Sequence, residues 1–420
     1  EEEMKKNVIV GQSGGPTAVI NASLYGVVNE ALNRKDSFGA VFGMINGIEG
    51  FAEGRVMDME ELKRSGELEL VKTTPGSYLG SCRYKLPKDL NDEVYPKLFE
   101  RFKEYDIGYF FYIGGNDSMD TVSKLSRYAE MVGSDICFLG IPKTIDNDLV
   151  NTDHTPGFGS AAKYVASTVR EIAVDASVYD NKKSVTIVEI MGRHAGWIAA
   201  AGGLAGEYGI PVVILFPEIP FEKERFLARV EENVAEFGYC SVVVSEGCRY
   251  PDGKFIADQG ARDVFGHAHL GGAALVVARM IHEKFGYPFH WAVANYLQRS
   301  ARHVASAIDV EQAYELGVAA VELALNGCNS VMPTIVRLSD EPYRYKIGMA
   351  NLKDVANVEK FMPESFISDD GYGITDECRK YLLPLIQGEN YPPYRRGLPE
   401  YITLQNRLIP RKLKSFNGKV

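Results

Sequence analysis

Cysteine is sparse in this 420-residue chain: Cys82, Cys137, Cys240, Cys248, Cys328 and Cys378 are scattered, with no C-x-x-C pair among them. That scatter argues against a disulfide framework and leads us to expect reduced thiols and a cytoplasmic location. No uncharged apolar stretch reaches the roughly 18 residues of a membrane-spanning helix, and no apolar leader follows the N-terminus. Positive charge is in deficit, with 46 Lys and Arg against 56 Asp and Glu and a net charge of −10. Such a balance argues against a nucleic-acid coat or a membrane-surface protein, so neither is expected as a partner. Repeats at solenoid periods and low-complexity tracts are missing as well.

What remains is an ordinary folding composition, 45% hydrophobic, 24% charged and 11% aromatic. At about 150 residues per domain, the length suggests two or three domains. Short β-branched and aromatic runs closed by Gly or Pro recur at Asn7–Gly11, Phe38–Met44, Tyr109–Gly114, Ile136–Ile141, Val185–Met191, Val212–Phe216 and Ser241–Ser245. Helical patterns lie between them, including Ala18–Asn33, Asp117–Met131, Ser160–Asp175 and Lys223–Glu236. Continuous apolar strands alternating with helices predict an α/β fold with parallel sheets covered on both faces. The tail from about Asp340 is rich in Tyr, Pro and charge and is expected to wrap the surface or cap the core, with no chemistry of its own.

In open parallel sheets, ligands bind outside the carboxyl ends of the strands, and the informative motifs all sit there. The first strand ends in GQSGGPTAVINAS, where Gly14 and Gly15 precede a helix whose N–H groups suit a phosphate. The spacing is neither G-x-G-x-x-G nor a P-loop, and a plain strand-to-helix turn fits it equally. In IGGNDS, Gly114 and Gly115 allow close backbone approach. Asn116 and Asp117 could then ligate a hard cation, or Asp117 and Ser118 could simply cap the next helix. In IPKTIDNDL, Lys143 and Thr144 precede Asp146 and Asp148, which an extended loop would project to one side. One carboxylate could then act as a base while the ammonium offsets phosphate charge; a bland Asp/Asn turn is the alternative. EIMGRHAGW puts Arg193 just past a strand, where a guanidinium can clamp a phosphate, with His194 and Trp197 read as structural. Glu246, at another strand end, suits sugar hydroxyls, and NYLQRSARH offers Tyr296, Arg299 and Arg302 to an anion.

Taken in order, SGGPTAVINA, GSCRY, GGNDS, PKTIDND, MGRHAGW, SEG and YLQR resemble the phosphofructokinase family, from about Asn7 to Leu338. The pyrophosphate-dependent members are the most similar. The resemblance implies two Rossmann-like three-layer α/β/α domains with the active site in the cleft between them. The expected divisions are a phosphoryl-donor domain over 1–158 that regains segments after about 296, a sugar-phosphate domain over 159–295, and a C-terminal extension over 340–420. It also implies a Mg²⁺-dependent transfer from pyrophosphate to the 1-hydroxyl of fructose 6-phosphate, yielding fructose 1,6-bisphosphate and phosphate. A homodimer or homotetramer is implied too.

Carried over position by position, Gly14, Gly15, Arg83, Gly115, Asp117 and Ser118 would meet the donor, and Asn116 and Asp117 the metal. Asp146 would be the base, flanked by Thr144 and Asp148, with Lys143 and Arg193 stabilising the transferring and leaving groups. Lys183, Met191, Gly192, Arg193, Glu246, Tyr296 and Arg299 would meet the sugar phosphate, with Thr144 and Asp146 beside its reacting hydroxyl. Donor choice rests on Asp117 and Lys143, where ATP-dependent relatives carry glycines. A carboxylate at 117 fills and repels the space of an ATP α-phosphate, and Lys143 suits pyrophosphate's leaving phosphate. An ATP-dependent enzyme, a distant lipid or dinucleotide kinase and a catalytically silent regulatory subunit are the alternatives. Asn116 departs from the family's metal-binding aspartate. Ser184 and His290 replace two arginines through which a neighbouring subunit reaches the sugar phosphate, which leaves adjacent Lys183 as the substitute. Tyr25 and Asn29 replace allosteric arginines, so regulation by ADP or phosphoenolpyruvate is not expected.

Overall fold

In strand β1 (Asn7–Gln12), Val8 and Val10 enter one buried apolar cluster while Ile9 enters a second. That alternation is what a strand covered on both faces requires. Strands β2 (Val41–Met44), β3 (Val56–Asp58), β4 (Ile107–Gly114) and β5 (Cys137–Pro142) follow. On β4 and β5, Phe111, Ile113, Leu139 and Ile141 face the first cluster, and Phe110, Tyr112 and Phe138 the second. Helices Ile20–Asn33 and Ala307–Leu325 supply the first cover, and helices Val94–Glu104 and Asn116–Val132 the second. The result is a three-layer α/β/α unit.

These coordinates are a computed structural model, and the structure describes residues 4–179, 183–262 and 268–404. The chain divides into two compact units. The first takes Glu1–Gly157, Arg302–Glu359 and Gly388–Val420; the second takes Phe158–Ala301 and Lys360–Gln387.

The second unit has strands β6 (Ser184–Ile190), β7 (Val212–Leu215) and β8 (Tyr239–Ser245), a short ribbon of β9 (Asp258–Arg262) and β10 (Ala268–Leu270), and β11 (Phe289–Val293). Its main sheet runs β11-β6-β8-β7 and is parallel throughout. Helices Lys223–Phe237 and Ala273–Phe285 bury Phe226, Val230, Val277 and Ile281 against Val185, Ile187, Val242 and Val244. Gly202, at the end of helix Trp197–Gly202, lies so close to the sheet that a β carbon would stand 2.9 Å from Val243.

β12 (Val331–Asp340) and β13 (Tyr343–Asn351) complete the first unit's sheet, ordered β13-β12-β5-β4-β1-β2-β3. All its inner pairs are parallel, and only the outermost strands, β13 and β3, run antiparallel to their neighbours. Here the sequence reading needs correction. The region after Asp340 does more than wrap or cap, because β13 is a strand of the main sheet. Phe366 and Tyr381 also pack their rings on the fully buried Trp197 of the second unit. β13 escaped notice because an edge strand needs only half its residues buried, so YRYKIGMAN reads as polar.

Candidate active site

The first unit's sheet reverses its winding between β1 and β4: β1 leads outward to β2, and β4 leads the other way to β5. Such a switch point opens a crevice at the strands' carboxyl ends. The loops after β1, β4 and β5 meet there. Gly14 has φ +77°, a left-handed conformation that any other residue would hold under strain. Its N–H donates to the Cys82 carbonyl at 3.1 Å, and the Ser81 hydroxyl donates to its own carbonyl at 2.6 Å. The GSCRY segment is thereby fixed beside the first loop, with Arg83 exposed. From β5, Lys143 reaches back so that its Nζ donates to the Gly15 carbonyl at 2.5 Å. Lys143 is only 3% exposed, so its ammonium is a nearly desolvated cation beside backbone that can approach a ligand closely.

After β4, Gly114 and Gly115 enter helix Asn116–Val132. A β carbon at Gly114 would collide with the Ser118 hydroxyl at 2.0 Å, so glycine is required for the helix to start there. Asp117 is exposed in the first turn, where a carboxylate is favoured by the helix dipole. The Asn116 side chain meets Asn357 and Val358, accepting from the N–H of one and donating to the carbonyl of the other.

The loop Lys143–Leu149 is a turn rather than the extended segment expected from sequence. The Thr144 hydroxyl accepts from the Asp146 N–H at 3.1 Å, and Asn147 is buried with φ +53°. The two carboxylates therefore differ sharply. Asp146 is exposed, while Asp148 has a buried Oδ1 with no hydrogen-bond partner. Burial, then the charges of Asp146 and Glu359, push the Asp148 carboxyl up to about 7, with Lys143 pulling the other way. Downstream, the buried Asp309 carboxylate accepts the Gly157 N–H at 3.1 and 3.2 Å and so holds the chain that closes this loop.

In the second unit, the loops after β6 and β8 interlock. The Gly192 N–H donates to Glu246 Oε1 at 3.3 Å, and the Ser245 hydroxyl donates to the Gly192 carbonyl at 2.6 Å. Gly192 has φ +134°, and a β carbon at Gly247 would sit 2.0 Å from the Arg193 carbonyl. The Met191 N–H donates to the buried Gln298, whose amide donates to the Asn295 carbonyl. That link fixes the turn carrying Tyr296 and Arg299 beside Met191, with the Arg299 guanidinium 4.1 Å from the Tyr296 ring centre. Met191, Gly192, Arg193, Glu246, Tyr296 and Arg299 are thus brought together.

Two residues stand apart. Lys183 precedes β6, the end of the strand opposite Met191 and Arg193. Seven residues of strand separate them, roughly 20 Å. Arg302 is fully buried, and its two terminal guanidinium nitrogens donate to the Asn390 carbonyl and side-chain oxygen, so it clamps the chain and does not stand open to an anion. Sequence reasoning missed Glu359, Asp309 and Gln298. Gln298 lies inside YLQR, where only Tyr296 and Arg299 were given a role, while Glu359 and Asp309 belong to no recognisable motif; each acts through a long-range contact.

No group of three or more His, Cys, Asp or Glu among the described residues is arranged to hold a metal ion. The donor set offers the Asp117 carboxylate at a helix start. That suits Mg²⁺, which is typically held by one or two carboxylates plus substrate phosphates and keeps several waters.

Fold and site together define an open parallel α/β protein that handles phosphates at glycine-lined strand ends. Residues 7–324 match the Phosphofructokinase family, and the chain belongs to it. It is 54% identical to a pyrophosphate–fructose 6-phosphate 1-phosphotransferase of Methylococcus capsulatus, over 97% of this chain and 98% of that protein. It is 48% identical to the enzyme of the same name from Xanthomonas campestris, over 98% of this chain and 99% of the relative. Among solved structures, a pyrophosphate-dependent phosphofructokinase from Nitrosospira multiformis superposes with a TM-score of 0.90 at 51% identity, covering 98% of this chain and 100% of that one.

Proposed function

We propose that this chain transfers a phosphoryl group from pyrophosphate to the 1-hydroxyl of fructose 6-phosphate, giving fructose 1,6-bisphosphate and phosphate. The observation that carries the donor assignment is the buried Lys143 ammonium seated on the Gly15 carbonyl beside the left-handed Gly14, with Asp117 heading the neighbouring helix. A compact, strongly anionic donor gains from that cation, and a nucleotide α-phosphate would be repelled by that carboxylate.

The first unit handles the donor and the second the sugar. The exposed Asp146 carboxylate takes the proton of the 1-hydroxyl, whose oxygen forms the new P–O bond while the bridging P–O bond of pyrophosphate breaks. Lys143 and Arg83 offset charge on the leaving phosphate, and Arg193 charge on the transferring group. Thr144 is committed to the turn that presents Asp146. Asp148, titrating near neutrality, can donate a hydrogen bond to a phosphoryl oxygen in its protonated form. Gly115 and Ser118 set the backbone approach to the donor, and Glu246, Tyr296 and Arg299 receive the sugar hydroxyls and 6-phosphate. Asp117, together with the pyrophosphate oxygens, would hold Mg²⁺, which would supply charge neutralisation on the donor. Asp146 accepts a proton from the hydroxyl in one direction and returns it in the other, so the same groups serve both.

A homodimer or homotetramer fits the exposed edge strand β11, where Trp291 and Val293 are 46% and 40% exposed. His290 lies on this strand and Lys183 just before its neighbour β6, and both would reach a second copy. A cytoplasmic location fits the six free cysteines. No helix among the described residues is long and apolar enough to cross a membrane.

The test is an assay of purified protein with Mg²⁺ and fructose 6-phosphate, comparing pyrophosphate and ATP. Turnover with pyrophosphate alone is expected. Preference for ATP would sink the donor argument, and inactivity with both would favour a silent regulatory subunit.

A further inference from the structure

Asn116 occupies the first position of the helix that opens the donor site, and both polar atoms of its side chain are engaged. Oδ1 accepts the Asn357 N–H at 2.7 Å, and Nδ2 donates to the Val358 carbonyl at 2.5 Å. Asn357 stands at φ +62°, a conformation that asparagine tolerates better than most residues, and its own amide donates to Asp120 Oδ1 at 2.8 Å. Asp120 pairs with Lys124 at 2.7 Å, both nearly fully buried, and the Lys124 ammonium donates to the Leu86 carbonyl at 2.8 Å. Leu86 lies three residues past Arg83. On its other side the segment pairs by main chain with the catalytic loop, Glu359 opposite Leu149. Residues 357–359 are thus tied to the helix start, to the loop bearing Asp146 and Asp148 and, through two buried side chains, to the Arg83 segment.

The chemistry of that tie selects an amide. Asn116 must accept on one atom and donate on the other, toward partners of opposite polarity. An aspartate could accept from Asn357 but would set its second oxygen against the Val358 carbonyl, with no proton between them. The Asn116 oxygen is also occupied by an N–H, and a neutral amide is a weaker ligand than a carboxylate for a hard cation.

We propose that Asn116 is a positioning residue rather than a metal ligand. With Asn357 it forms a latch that fixes residues 357–359 against the donor loops, leaving Asp117 as the carboxylate the protein offers a divalent cation. The proposal rests on the donor-site reading above and assigns the C-terminal region a part in pyrophosphate recognition that lies outside the seven motifs.

Two variants, Asn116→Asp and Asn357→Ala, decide it. Backbone hydrogen exchange across residues 354–361 is followed by mass spectrometry in metal-free, donor-free protein, and Mn²⁺ affinity is measured by electron paramagnetic resonance. The latch predicts exchange roughly tenfold faster in both variants, as expected on losing surface hydrogen bonds. It also predicts Mn²⁺ binding by Asn116→Asp no tighter than by wild type, and a raised KM for pyrophosphate with kcat less affected. Wild-type exchange rates in Asn116→Asp, or clear tightening of Mn²⁺ in it, would overturn the proposal. If the wild-type protein fails to use pyrophosphate, the functional reading falls, and the exchange and Mn²⁺ results still judge the latch by themselves.

Discussion

Replacing Asp148 by Asn tests whether this carboxyl is a buried acid. An ordinary Asp titrates near 3.8, and here burial and the facing carboxylates Asp146 and Glu359 raise it to about 7 against the pull of Lys143. The folded state therefore binds this proton more tightly than the unfolded chain. Its contribution to stability is fully present below about pH 4 and is lost as pH rises through about 7. Roughly three pH units at 1.36 kcal/mol each gives about 4 kcal/mol, which water entry and local relaxation lower to about 2–4 kcal/mol. Asn has the same shape and no charge to bury. The variant should match wild type in thermal stability at or below about pH 4, exceed it increasingly as pH rises to about 7, and keep that advantage toward pH 8. Differential scanning calorimetry of both proteins across that range reads the difference directly, and other titrating groups cancel in the comparison. Parallel curves at all pH values would refute the argument, because an ionised, solvated Asp148 gives no such divergence.

Asp146→Ala should lower kcat by about 10²–10⁴-fold while sugar binding, read by calorimetry, is largely kept; residual activity above about a hundredth would count against the base assignment. Lys143→Met should weaken use of pyrophosphate by about 10²–10³ in kcat/KM, as expected for removing a desolvated charge at the donor, with fructose 6-phosphate affinity little changed. A mutant of near wild-type efficiency would remove Lys143 from the site. Arg302→Met should cost about 1.5–3 kcal/mol of stability through its lost bonds to Asn390, measured by thermal unfolding, and leave the KM for fructose 6-phosphate intact; a raised KM with unchanged stability would restore Arg302 to the anion site.

The sequence alone determined the strands that are buried on both faces. β1, β4, β5, β6 and β8 must be continuous apolar runs, and such runs are legible one residue at a time. It also determined where the chemistry lies, since glycines and charged residues at strand ends have a local meaning. β11 and β13 were not legible, because an exposed edge strand carries no such pattern. Only the tertiary structure decided what each polar residue does. Asp146 and Asp148 are two residues apart, yet one is exposed and the other has a buried oxygen without a partner. Arg299 stacks on Tyr296, whereas Arg302, in the same motif, is sealed beneath Asn390. Asn116 reads as a cation ligand until Asn357 and Val358 arrive from the far end of the unit. Hydrophobic periodicity is a property of neighbouring residues, whereas burial, charge environment and hydrogen-bond partners are set by segments that meet only when the chain has folded.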